Sequence, residues 1–151
     1  MSTIFISHSE EDLATVDEIV RGLEQAGYRT WCFERDVLPG TSYLVQVAKA
    51  VAESDAVVLV ISSSSVDSDR VSKEVVGAFE RRKPFFPILL DMTPPQLKER
   101  QLEWRHALGG TAMMVVGTRS IADCVSQIIE GLQARGLYPE GEGQAPSARR
   151  A

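Results

Sequence analysis

The stretch Val71-Ser72-Lys73-Glu74-Val75-Val76 holds a carboxylate in an awkward place. Val71, Val75, Ala78 and Phe79 recur at helical spacing and build an apolar stripe, with Glu74 at its margin. Such a residue is either a solvated helix side chain or a carboxylate aimed into a cleft, and periodicity alone leaves both open. Other chemically able residues are sparser. His8 and His106 have no ligand-spaced partner, so no metal site is expected. Cys32 and Cys124 lack CxxC-type spacing and fall in apolar periodic segments, the pattern of buried free thiols in a reducing cytosol. No GxGxxG or P-loop follows the first apolar run, where "SHSEED" offers no glycine to cradle a phosphate. A phosphoryl-accepting receiver needs an aspartate after the third strand, and Ser62-Ser63 stands there. The G-x-S-x-G nucleophile elbow is also missing.

The elements that must position Glu74 alternate regularly. Strands are predicted at 3–7, 28–33, 56–62, 85–90 and, more weakly, 112–116. The third, "AVVLVIS", is apolar throughout, the mark of a central strand covered on both faces. Pro87 inside the fourth implies a position near a sheet edge or a bulge. Helices are predicted at 10–26, 43–53, 69–82, from Pro94 to about 105, and from the Ser120 cap to Gly136. Leu13, Val16, Ile19, Val20 and Leu23 line the first, and Leu44, Val47, Ala48 and Val51 the second. Ser9 and Asp12 resemble a capping box, Gly27 suits a helix C′ position, and Ser68 reads as the cap before Glu74. The segment 34–42 is a loop, with Pro39-Gly40 as its turn signal. Trp31 and Trp104 read as packing residues.

Strands alternating with helices imply a mostly parallel sheet with helices on both faces. Ligands of such sheets bind beyond the carboxyl ends of the strands, so the loops 7–10, 34–42, 62–68 and 91–94 are the ones to examine. The 151 residues fit one globular domain, followed from Leu137 by an aperiodic stretch that reads as a flexible tail or linker. A net charge of −5 with scattered basic residues disfavours nucleic acid or an anionic membrane as partner. No apolar run approaches the ~20 residues that span a bilayer, and the N-terminus lacks a basic leader, so a cytoplasmic protein is expected.

Three segments in order carry a family pattern: "IFISHSEED", "WCFERDVLPGTS" and "VISSSSVDSDRVSKEV". Phe5 to Asp12, then Phe33, Asp36, Pro39 and Gly40, then Ser62 to Ser65 and Glu74 resemble the three boxes of a Toll/interleukin-1 receptor (TIR) domain. The resemblance covers about residues 3–135, bounding the domain within 1–136 and leaving 137–151 as tail. It implies a flavodoxin-like three-layer α/β fold whose five-stranded parallel sheet runs in the order 2-1-3-4-5.

Some members of that family are scaffolds that associate through the loop matching 34–42. Others, including many bacterial and plant ones, cleave NAD+ at the nicotinamide–ribose bond to nicotinamide and ADP-ribose or a cyclic form of it. Glu74 matches the glutamate required for that cleavage, with NAD+ as substrate and no cofactor. The resemblance further implies substrate contacts from Ser7, His8, Phe33, Arg35, Asp36, Ser68 and Arg70, and self-association through Val37, Leu38, Pro39 and Gly40. Arg70 departs from the pattern: many catalytic relatives carry an aromatic four residues before the glutamate, and here an arginine that can contact phosphate replaces that stacking surface. The implied role is the oligomerisation-activated effector of a larger bacterial immune or signalling protein. A non-enzymatic interaction module is the alternative, and a nucleoside deoxyribosyltransferase-like enzyme a third.

Overall fold

The structure, a computed structural model, describes residues 2–139. Its strands are β1 (Thr3–Ser7), β2 (Arg29–Cys32), β3 (Ala56–Ile61), β4 (Phe85–Leu89) and β5 (Met114–Val115). They form one sheet in the order β2-β1-β3-β4-β5, every pairing parallel. The helices are α1 (Leu13–Gln25), α2 (Phe33–Asp36), α3 (Tyr43–Glu53), α4 (Asp69–Glu80), α5 (Pro94–Arg100), α6 (Leu102–Leu108) and α7 (Ile121–Ala134). The flavodoxin-like order expected from the family pattern is the order observed.

Period-two alternation sorts the strands' side chains onto two faces. Ile4, Ile6, Val58, Val60 and Ile88 face α1 and α7 and pack with Val16, Ile19, Leu23, Cys124, Val125, Ile128 and Leu132. Phe5, Val57, Leu59, Ile61 and Leu89 face α3, α4, α5 and α6 and pack with Val47, Val51, Val71, Val75, Leu97 and Trp104. All six residues of β3 are buried, as its unbroken apolar run predicts. Trp31 stacks on Phe5, and the fully buried Trp104 donates from Nε1 to Ser72 Oγ at 3.0 Å. Both tryptophans are therefore packing residues. Cys32 and Cys124 are buried free thiols, and burial pushes the Cys32 thiol up to about 12.

Pro87 lies in β4, which has a neighbour on each side, yet it has no ladder partner in β5. The β4–β5 pairing contains only Ile88↔Met114 and Leu89↔Val115. Leu90 N–H donates to Ile61 and the Leu89 carbonyl accepts from Val116, so alternation turns the Pro87 nitrogen toward the β5 side. The missing N–H thus falls on a local edge.

Several expected boundaries move. The 28–33 strand stops at Cys32, and the start of the 34–42 loop is helical instead, because Asp36 Oδ2 accepts the Cys32 N–H at 2.8 Å and closes the turn. The single helix expected from Pro94 breaks at Gln101, which adopts extended angles (φ −138°, ψ 91°) while its side chain donates to the Val66 carbonyl. The fifth strand keeps two residues of the five expected. Ser9 does not cap a backbone N–H; its hydroxyl donates to Asp12 Oδ2 instead, and a 3-10 turn over Glu10–Asp12 precedes α1. On α3 the buried residues are Val47, Ala50 and Val51, while Leu44 is 46% exposed and Ala48 also faces outward. Leu13 is likewise exposed at the start of α1. Leu137 packs beneath α7 against the core, its carbonyl accepting from Tyr28 Oη; the rest of the expected tail, 140–151, lies outside the described residues. Among the described residues no helix is long and apolar enough to cross a membrane.

Candidate active site

Glu74 lies within the stripe of α4, not at its margin. Val71, Glu74, Val75 and Ala78 are the buried positions, spaced i, i+3, i+4 and i+7, while Phe79 is 41% exposed and leaves the stripe. Ser68 starts the helix by accepting the Val71 N–H on its side chain. Three residues of the following turn then place Glu74 over the carboxyl end of β1. Alternation along β1 puts Ser7 on the same face as Phe5, directly beneath it.

A carboxylate buried to 2% exposure needs partners for both oxygens, and it has them. Ser7 Oγ donates to Glu74 Oε1 at 2.5 Å, and Arg70 Nη1 donates to Oε2 at 2.8 Å. Arg70 Nη2 donates to the His8 carbonyl at 2.9 Å and stands 3.9 Å from Glu34 Oε2. The guanidinium carbon lies 4.1 Å above the centroid of Phe33, whose ring meets Tyr43 edge-on. His8 is fully buried, with Nδ1 3.2 Å from the Ile6 carbonyl and Nε2 2.7 Å from Glu34 Oε1. A chain of polar contacts therefore runs from β1 through α2 to α4.

Burial dominates the electrostatics of Glu74. It pushes the carboxyl from 4.5 up to about 7, against the opposing pull of the Arg70 charge and of hydrogen bonds from Ser7 and Arg70. Glu74 sits six residues beyond Ser68, too far along the helix for its amino end to hold the carboxylate ionised. A carboxyl that titrates near neutrality is suited to general-base work or to facing a cation that forms during reaction.

Outside Arg70 opens a cleft of about 400 Å³, lined by Ser9, Glu10, Glu11, Phe33, Ser64, Ser68 and Arg70. Arg70 separates it from Glu74. Of the expected substrate-contacting residues, Phe33, Ser68 and Arg70 line this cleft, while Ser7 and His8 lie behind it and bond to protein partners. Arg35 and Asp36 are not brought to it. Arg35 pairs with Glu24 and Asp36, and Asp36 faces a separate groove beside β2 with Trp31, Leu38 and Gln46. The 37–40 turn stands clear of the cleft: Gln46 bonds both the N–H and the carbonyl of Leu38, Leu38 is 67% exposed, and Gly40 adopts φ 88°. Sequence reasoning missed Glu34. The stretch 34–42 reads as a loop, and nothing local in it points Glu34 to His8, which lies 26 residues earlier.

A family model described as "TIR domain" matches residues 4–113. The chain belongs to the TIR-domain family. Glu74, its supporting Ser7 and the 33–40 segment all fall within the matched region of this TIR domain. Among curated proteins none matches the chain. Among solved structures it is similar to the TIR domains of the activated Roq1 resistosome that recognises the pathogen effector XopQ, at 19% identity and TM-score 0.75, covering 87% of this chain and 99% of that one. It is similar at 26% identity and TM-score 0.63 to a metazoan TIR-STING receptor from C. gigas in complex with 2′,3′-cGAMP, covering 83% of this chain and 38% of the receptor. The Toll-related receptor TRR-2 of Hydra magnipapillata matches at 18% identity and TM-score 0.60, over 89% of this chain and 93% of that one. The likenesses at 19% and 18% identity bear on fold alone. The fold described above is the fold those structures share with this chain.

Proposed function

We propose that this TIR domain cleaves NAD+ between nicotinamide and ribose, as the family resemblance implies, with Glu74 as the catalytic residue. One observation carries the reading: the one buried carboxylate among the described residues, bonded at both oxygens, stands at the carboxyl end of the sheet behind a cleft that Phe33 and Arg70 help to line. Nicotinamide leaves a cationic pyridinium as a neutral molecule, taking the electron pair of the C–N bond, so no general acid is required. The ribose that remains has oxocarbenium character, and an anion facing it lowers the barrier. Water then adds at the anomeric carbon and releases a proton, giving ADP-ribose; attack by an adenine nitrogen gives a cyclic form. Helix α4 is a rigid mount for the carboxylate.

The context we propose is a cytoplasmic effector of an immune, including antiviral, or other signalling protein, activated when domains associate through Val37 to Gly40. A non-enzymatic module is favoured by one separate observation, the exposed apolar run Leu38, Tyr43, Leu44 and Val45. Incubating concentrated or artificially clustered protein with NAD+, beside Glu74→Gln, separates the two. Nicotinamide release that depends on Glu74 supports cleavage. Release unchanged in the variant removes Glu74 from the chemistry, and no release on clustering leaves the module.

A further inference from the structure

Arg70 fills a site whose walls suit a planar cation. Its guanidinium has an aromatic face against it (Phe33, 4.1 Å), a carboxylate at one edge (Glu74 Oε2, 2.8 Å) and a carbonyl at the next (His8 O, 2.9 Å). The side chain is only 15% exposed. Those groups would also attract a flat ring with a delocalised positive charge such as a pyridinium, through its charge and its face rather than through N–H donors. Glu10 and Glu11 add negative charge at the lip of the cleft.

We propose that Arg70 is a resident plug in a planar-cation subsite between Phe33 and Glu74, and that a cationic N-glycoside binds by displacing it. The proposal rests on the reading of Glu74 as the cleaving carboxylate. Displacement needs a second acceptor, because an arginine leaving a buried partner cannot be stranded. Glu34 supplies it: Oε2 is already 3.9 Å from Arg70, and Oε1 is anchored by His8. Phe33 and Glu34 both belong to α2, so the short helix that carries the aromatic shelf also carries the alternative acceptor.

The test uses 1-methylnicotinamide, a ring-methylated pyridinium with no glycosidic bond, and neutral nicotinamide as its control. Each is titrated into wild-type protein and Arg70→Ala, following the Glu74 side-chain carboxyl carbon by NMR. The cation is expected to bind Arg70→Ala about tenfold tighter than wild type, with nicotinamide changing by less than about twofold. Equal affinity of the cation for both proteins overturns the plug. An equal gain for both probes also overturns it, since the variant has then opened space without exposing a cation site. Thermal unfolding reports whether Arg70→Ala is folded; where it is not, Arg70→Gln, longer and uncharged, takes the same titration with the same outcomes. A tighter cation in the variant with no release of nicotinamide from NAD+ by clustered protein keeps the plug and removes the cleavage reading. Glu74-dependent release with unchanged probe affinity does the reverse.

Discussion

The two ends of the sheet offer opposite kinds of recess. At the amino ends of β4 and β5 a groove of about 530 Å³ is lined by Phe85, Phe86, Met113, Met114, Arg119, Gln127 and Arg135. At the carboxyl ends the cleft beside Arg70 is smaller, about 400 Å³. The larger recess has no buried acid or imidazole in its wall, and Arg119 and Gln127 bond to each other across it. The smaller one stands over Glu74 and His8, the buried acid and imidazole among the described residues. Volume and chemistry are thus at different ends. Burying a carboxyl costs stability, and carboxyls perturbed in this way cluster at functional sites. The amino-end groove is what remains when a two-residue β5 fails to cover the start of β4.

That contrast breaks most readily at Glu74. Glu74→Gln keeps shape and removes the charge, and NAD+ cleavage is expected to fall by roughly 10²–10³, as when a preorganised charge-stabilising group is lost. The second test is thermodynamic and needs no substrate. Burial raises the Glu74 carboxyl from 4.5 to about 7, so between those values the folded chain holds a proton that the unfolded chain has released. The contribution of this group to stability therefore falls as pH rises through that window and levels off above it. The total is about 3 kcal/mol. Chemical denaturation of wild type and Glu74→Gln at pH 5, 6, 7 and 8 isolates the term by subtraction. The variant is expected to gain on wild type steadily up to about pH 7. A difference that stays flat would put Glu74 in water and erase the distinction between the two ends.

The amino-end groove gives a third test, of packing alone. A Cβ added at Gly131 on α7 would stand 2.6 Å from Phe86 Cε1, so the ring must move. The overpacking outweighs the helix propensity gained with alanine, and Gly131→Ala is expected to lose about 1–2 kcal/mol in unfolding free energy. Cleavage per folded molecule should stay at the wild-type level. A drop in activity at full folding would tie the groove to the chemistry.

The alternation of strands and helices and the buried β3 were legible because period-two and period-3.6 patterns are local, whereas the sheet order was legible only through the family resemblance. What failed to show depended on partners distant in sequence. The Ser7–Glu74 bond joins residues 67 apart, and without it a glutamate on an apolar stripe reads as a marginal surface residue. The α2 turn hangs on Asp36 reaching back to the Cys32 N–H, which no propensity encodes. Glu34 acquires its place from His8, 26 residues earlier. Arg70 was legible as a departure from the family pattern, but its contacts with Glu74, His8 and Phe33 come only from the packing of α4 against β1 and α2.

Ser7 provides the finest test of how the carboxyl end is organised. Its hydroxyl donates to Glu74 Oε1, and a donor to the ionised form holds a carboxyl's pKa down. Ser7→Ala removes that donor while Arg70 keeps the other oxygen, so the carboxyl should titrate higher. If Glu74 acts as the anion, the rise of cleavage with pH shifts upward by roughly half a unit to one unit, equivalent to about 1 kcal/mol. Well above both midpoints the two proteins should cleave at similar rates, since Ser7 acts only through Glu74. A uniform loss of rate at every pH, with the midpoint unmoved, would instead mean that Ser7 fixes the direction in which the carboxylate points. The pH profile, not the rate at one pH, separates tuning from aiming.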